Sequence, residues 1–272
     1  MAYNGNESGQ DGAAEAFERQ QHGSRSFTNR QNGWSQEVKD VDAGLLAAMM
    51  MGERSGIQKW LDRGASLHAV NKRGQTALML CSNIETLEWL ISEEVAIDAR
   101  DNGGRTALFY YAAERDDPQF VRLLLDHGAD VNVRSVGVGR TALFEAATWH
   151  KPQNVRLLLN HGADVNVRDY EGSTPLMHAA WPWPNDTEAV ETLRLLLSHG
   201  ADVNAVDQGG KTALIHLLAD EQHEEGYAEI VRLFLAYNVE TGIVDSDGNT
   251  ALSLSVRRGL NDVVALLKQQ AQ

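Results

Sequence analysis

The sequence predicts an all-α repeat solenoid of stacked helix-turn-helix units, and three observations predict it. A Thr-Ala-Leu or Thr-Pro-Leu marker recurs at Thr76, Thr106, Thr141, Thr174, Thr212 and Thr250, at spacings of 30, 35, 33, 38 and 38 residues. A period in this range belongs to arrays in which each unit buries its apolar face against its neighbours. The phrase HGADVNVR stands at His127–Arg134 and again at His161–Arg168, and HGADVNAV follows at His199–Val206. Between marker and phrase runs a Leu/Val-rich segment such as NVRLLL, Asn154–Leu159, which suits a helix covered from both sides.

Composition bounds the rest. The 272 residues are 43% apolar, enough for a sizeable core, and carry a net charge of −14. That charge disfavours nonspecific attraction to nucleic acid or to an anionic membrane. The one cysteine, Cys81, excludes an intramolecular disulfide and fits a reducing compartment. No apolar run approaches the roughly 18 residues of a spanning helix. The first residues, MAYNGNESGQDG, lack the basic-then-apolar order of a signal peptide. A cytoplasmic protein, monomeric when alone, is expected. Residues 1–38 are rich in Gly, Ser, Asn and Gln and predict a disordered tail, with Ala13–Gln21 suited to a short helix on a partner.

Residues 39–272 divide into seven predicted units: 39–70, 71–100, 101–135, 136–168, 169–206, 207–244 and 245–272. The first is degenerate; its Met49, Met50 and Met51 are expected to seal one end of the array. In each later unit the marker threonine suits an N-cap, because its hydroxyl can accept from an orphan first-turn N–H. Pro175 fits the first helical position after one such threonine. Small alanines after the marker allow close approach of a neighbouring helix. The glycines of the repeated phrase, Gly128, Gly162 and Gly200, suit left-handed C-caps of the second helices. A D-x-x-G segment then turns the chain through side-chain-to-backbone hydrogen bonds. In the second unit Val95 is expected at the glycine position, and in the sixth Asn238, which tolerates that conformation. Units five and six carry the inserts WPWPNDTEAVE and ADEQHEEGYAE, and unit seven ends on the polar LLKQQAQ of a capping repeat.

D-x-x-G-x-T-[AP]-L followed by LLL-x-H-G-A-D-V-N resembles the ankyrin repeat, over about residues 40 to 272. The resemblance implies antiparallel helix pairs with β-hairpin loops projecting from their ends. It also implies a concave face, made of hairpin tips and first helices, that binds other proteins.

No residue pattern proposes a reaction, and no cofactor is expected. His127, His161 and His199 recur once per unit. Neighbouring helices lie about 8–10 Å apart, whereas zinc ligands sit about 2 Å from the metal, so one histidine per unit does not converge on an ion. Cys81 reads as a buried structural thiol, and His178 and His216 as core-lining or hydrogen-bonded side chains. P-loop, G-x-S-x-G, H-E-x-x-H and C-x-x-C patterns are missing.

The loops carry the binding expectation. Lys72, Arg73, Arg100, Arg105, Arg134, Arg140, Arg168 and Lys211 fall at or near predicted tips. They form a basic edge on an acidic array, which beyond residue 40 holds 32 acidic against 20 basic residues. Arginine there suits bidentate pairing with a partner's carboxylates. Tyr110, Trp149 and Tyr170 are the expected aromatic anchors beside that edge. Trp181 and Trp183, between prolines in the fifth-unit insert, mark either a second site or packing near Tyr227. The expected function is a non-enzymatic adaptor, scaffold or inhibitor that binds a protein with acidic segments. The alternative is a small molecule or peptide bound or transformed on the concave face.

Overall fold

The computed structural model describes residues 40–114, 117–181, 187–219 and 226–270. All lie in the compact unit Ser35–Gln272. The expected tail, its Ala13–Gln21 stretch and Trp183 lie outside the described residues.

Fourteen helices occur among the described residues, in consecutive pairs. They are α1 (Asp40–Met51), α2 (Arg54–Asp62), α3 (Ala77–Leu80), α4 (Ile84–Ser92), α5 (Ala107–Glu114), α6 (Gln119–Asp126) and α7 (Ala142–Thr148). There follow α8 (Pro152–Asn160), α9 (Pro175–Ala179), α10 (Thr187–Ser198), α11 (Ala213–Ala219), α12 (Tyr227–Ala236), α13 (Ala251–Arg257) and α14 (Asn261–Gln270). The first members of the pairs pack one on the next through the series α1, α3, α5, α7, α9, α11, α13. Second members pack likewise through α4, α6, α8 and α10, and again from α12 to α14.

Local chemistry explains the boundaries. Thr141, Thr174 and Thr250 cap α7, α9 and α13 by accepting from the backbone N–H three residues on. Thr106 and Thr212 accept from Phe109 and Ile215 in the same way. Thr76 departs from the expectation. It caps the one-turn α3 without a side-chain bond, and its buried hydroxyl has no partner among the described residues. Alanines dominate the contact between first helices: Ala112, Ala142, Ala146, Ala147 and Ala179 are buried. Absence of bulk there lets the helices approach, and Leu, Val and Phe side chains such as Leu124, Leu158 and Phe234 fill the layer between ranks. The Asn154 amide ties two pairs together by donating to the carbonyls of Tyr111 and Ala112.

The second helices end as the repeated phrase suggested. Gly128, Gly162 and Gly200 adopt φ of +83°, +83° and +87°. His127, His161 and His199 occupy the C-cap, where each Nδ1 lies 2.8–2.9 Å from the carbonyl four residues back. That contact ties each ring to the last turn of its helix. Asn238 takes the glycine place at φ +58°, as expected.

Three expectations are corrected. The left-handed residue ending α4 is Glu94, at φ +55°, and not Val95; Glu94 precedes Gly128 by 34 residues, the same offset that separates Arg100 from Arg134. Of the three methionines, Met49 alone is fully buried, while Met51 is 69% exposed at the helix end. Three consecutive residues span about 200° of a helix and cannot share one face. Among the described residues there is no β-strand, and one isolated antiparallel bridge joins Val70 to Thr76. The inter-pair loops are tight turns, each closed by two backbone bonds between its ends.

Candidate functional site

The loop edge is built from carboxylates. In four loops the Oδ1 atoms of Asp101, Asp169, Asp207 and Asp245 accept from the N–H groups two and four residues ahead. Asn71 does the same with its amide oxygen. Each such residue also donates its own N–H to the carbonyl four residues on. Three bonds around one short side chain hold the turn. Burial pushes the Asp101 carboxyl upward, but the bonds from Tyr110 and Arg105 outweigh it and hold it below the ordinary carboxylate value.

Consecutive loops are joined to each other. The N–H groups of Asn102, Val136, Tyr170, Gln208 and Ser246 donate to the carbonyls of Arg73, Gly103, Val138, Glu171 and Gly209 in the preceding loop, at 2.7–3.0 Å. A second series ties the segments before the loops. Asn132, Asn166 and Asn204 each accept from the N–H of the next copy's Asp164, Asp202 or Glu240 and donate to its Gly162, Gly200 or Asn238 carbonyl. Loop backbones, usually the most mobile part of a fold, are therefore bonded along the whole edge.

The predicted basic residues separate into three groups. Lys72, Arg73 and Arg100 are exposed on the early loops. Arg134 and Arg168 are exposed too, but span neighbouring loops: Arg134 donates to the Arg168 carbonyl, and Arg168 to those of Gly172 and Val206. Neither meets a carboxylate among the described residues, so their charges stay uncompensated. Arg105, Arg140 and Lys211 are ion-paired. Arg105 grips Asp101 at 2.8 Å, Arg140 reaches Asp169 at 3.4 Å, and Lys211 lies 3.7 Å from Asp247.

Behind that edge, the residues four after Thr106, Thr141, Thr174 and Thr212 form a polar row on the first helices: Tyr110, Glu145, His178 and His216. The Tyr110 hydroxyl donates to Asp101 at 2.6 Å, beneath the Arg105 guanidinium 5.0 Å from its ring. Burial pushes Glu145 up; Arg140, 3.9 Å away, and a bond from Trp149 oppose it. The His178 ring meets that of Phe144 at a tilt of 59°, centroids 4.7 Å apart. Burial, then the Arg140 charge and His216, push His178 down to about 3, so it is neutral. His216 Nε2 lies 2.7 Å from Asp207. Each of these groups is paired and half-buried, so the row holds loops to helices. Among the described residues no cluster of three or more His, Cys, Asp or Glu could hold a metal.

The aromatics divide as well. Tyr110 and Trp149 are both half-buried, the first tied to Asp101 and the second to Glu145. Tyr170 is exposed, its ring 5.7 Å from the Arg134 guanidinium. Trp181 is exposed just past α9, and Tyr227 is buried under Arg258 at 4.6 Å. Cys81 is buried at the end of α3, its Sγ 3.0 Å from the Tyr111 hydroxyl.

Sequence reasoning passed over Val136 and Val138, both exposed on the Ser135–Arg140 loop. The signal was present: this loop has one residue more than Asp101–Arg105, and its interior reads Val-Gly-Val-Gly.

A family model described as ankyrin repeats matches the chain in three copies, over residues 45–135, 134–207 and 185–272. No curated protein matches it significantly. No helix among the described residues is long and apolar enough to cross a membrane. With paired helices, Asp-closed turns and this match over most of its length, the chain belongs to the ankyrin repeat family.

Proposed function

We propose that this chain is a non-enzymatic adaptor, scaffold or inhibitor that binds a partner protein along its loop edge and the adjoining first-helix face. Repeats of this family are generally protein–protein interaction modules. The observation that supports the reading here is the bonding of loop to loop. A surface whose backbone is already fixed loses little ordering entropy on binding, so more of the contact energy appears as affinity. Exposed arginines and Tyr170 on that edge are the side chains from which binding hot spots are made. The uncompensated charges of Arg134 and Arg168, with Lys72, Arg73 and Arg100, favour a partner with acidic segments.

In this reading seven units span 39–272 as loops projecting from paired helices in a solenoid, residues 1–38 form a separate tail, and the protein is a cytoplasmic monomer until it meets its partner. The single buried thiol is compatible with a reducing compartment.

Site-specific photocrosslinking tests the reading. A photoreactive residue is placed at Arg73, Val138 or Tyr170 on the loops, or at Arg122 or Arg194 on the exposed face of the second helices. Each version is illuminated in cell extract and the adducts are identified by mass. The reading expects a common protein adduct from the loop positions. Adducts from the second-helix positions alone contradict it.

A further inference from the structure

The five loop joints resemble one another, but their exposed residues do not. At the tips of the other loops stand Lys72 and Arg73, Asn102 and Gly103, Gln208 and Gly209, and Ser246 and Asp247. The two middle loops differ. Val136 is 66% exposed, Val138 49% and Tyr170 57%, the last beside the exposed Glu171; Val206, which precedes the next loop as Val70 and Val244 precede theirs, is 38% exposed. Their contiguity is direct. The Tyr170 N–H donates to the Val138 carbonyl at 2.9 Å. A Cβ on Gly139 would fall 2.7 Å from the Tyr170 ring and 2.8 Å from an Arg134 nitrogen, so ring and guanidinium lie over that glycine. Arg168 then bonds the Val206 carbonyl.

Val136 rests over Gly104, where a Cβ would fall 2.7 Å from its Cγ2, yet it stays 66% exposed, and the turn geometry calls for no valine at 136 or 138. The Asp-closed turns hold without them, and here Ser135 Oγ accepts from the Arg140 N–H in place of a carboxylate. Gly137, between the valines, has φ +90° and open space where a Cβ would be. An apolar tip thus stands in solvent between Arg134 and Arg168, whose guanidiniums bond only neutral carbonyls. An exposed apolar cluster rimmed by charge marks a place of contact.

We infer that Val136, Val138, Tyr170 and Val206, flanked by Arg134 and Arg168, are the docking point for a short partner segment in which an apolar side chain is flanked by carboxylates. The assignment rests on the proposed function and specifies it. The valines and the ring take the apolar anchor. The two arginines face the carboxylates, with spare N–H groups beyond those bonded to the loops. A basic segment is repelled, and a wholly polar acidic one leaves the valines uncovered. Because the arginines are exposed, attraction weakens as salt rises.

Selection of short random peptides displayed on phage, with the full-length chain as bait, tests the assignment. Enriched peptides are then titrated by fluorescence anisotropy against the native chain, Val136→Asp/Val138→Asp, and Arg122→Glu/Arg194→Glu as a control on the second helices. All replaced side chains are exposed, and circular dichroism confirms an unchanged fold. The expected result is enrichment of an apolar residue beside Asp or Glu, at least about ten-fold weaker binding to the valine variant, and no change in the control. Affinity for the native chain falls with added salt. Enriched peptides that are basic or lack an apolar residue, or that bind the valine variant unchanged, overturn the assignment. So does a selection that enriches nothing. If peptides crosslink to Arg73 or the first helices instead, the docking point is wrong while the proposed function stands.

Discussion

Arg140 places its Nε 3.4 Å from the carboxylate of Asp169, a residue of the following repeat. The pairing reflects two complementary departures from the pattern. Asp101 has its cation four residues on, at Arg105, and Asp207 has Lys211 in the same place. The loop at Ser135 has the cation, Arg140, but not the carboxylate; the loop at Asp169 has the carboxylate but Ser173 in the cation's place. Arg140 supplies across the joint what Ser173 does not supply within the loop. The Asp169 side chain is 2% exposed, so loss of its cation leaves a nearly buried charge. Arg140→Ser is expected to cost about 2–3 kcal/mol in urea unfolding. Adding Ser173→Arg restores the arrangement seen at Asp101 and recovers part of that loss; additive losses in the double variant would refute the exchange.

Gly139 supports Tyr170. At φ +75° an alanine is strained, and its Cβ would meet the ring at 2.7 Å. Gly139→Ala should lower stability by about 1 kcal/mol and displace Tyr170, read as shifted ring resonances in NMR spectra. Gly137, at φ +90° but with open space at its Cβ, should show the backbone strain alone: a similar loss of stability on change to alanine, with an unmoved Tyr170 ring.

His178 links folding to pH. Its pKa falls from 6.5 to about 3 on folding, chiefly through burial and the Arg140 charge. Between these values the unfolded chain binds a proton that the folded chain does not. Stability from this group is therefore full above pH 6.5 and is lost as pH falls, at on the order of 1 kcal/mol per pH unit. His178→Gln should flatten the dependence between neutrality and about pH 5, above the range in which carboxylates dominate. An unchanged slope in chemical denaturation at several pH values would exclude His178 as its source.

Asn166 ties two repeats with one acceptance from Asp202, at 2.8 Å, and one donation to Gly200, at 3.0 Å. Asn166→Ala should lower the urea midpoint by an amount equal to about 1–2 kcal/mol, since both bonded backbone groups lose their partner. Asn132 and Asn204 occupy the same place and should behave alike.

The repeat period, the threonine caps and the left-handed glycines were legible because each depends on residues adjacent in sequence. Glu94 was not: a glutamate in a left-handed C-cap has no residue signature, and the cue was a missing glycine. The site was less legible than the fold. Arg105 and Arg140 read as free tip charges because their carboxylate partners are recognised only once the turn is closed. Arg134 and Arg168 read correctly as exposed, but their bonds to neighbouring loops depend on the spacing between repeats. Val136 and Val138 were passed over because alternating Val and Gly resembles no helix or cap; their meaning comes from Tyr170, a residue of the next loop.

The central claim is that the loop edge is fixed before any partner arrives. Amide hydrogen exchange of the isolated full-length chain tests it most directly. The account predicts that the N–H groups of Asn102, Val136, Tyr170, Gln208 and Ser246 exchange slowly, with protection comparable to the amides of α7 and α9. Exchange at the rate of an unstructured peptide at these five positions, with the helices protected, would contradict it.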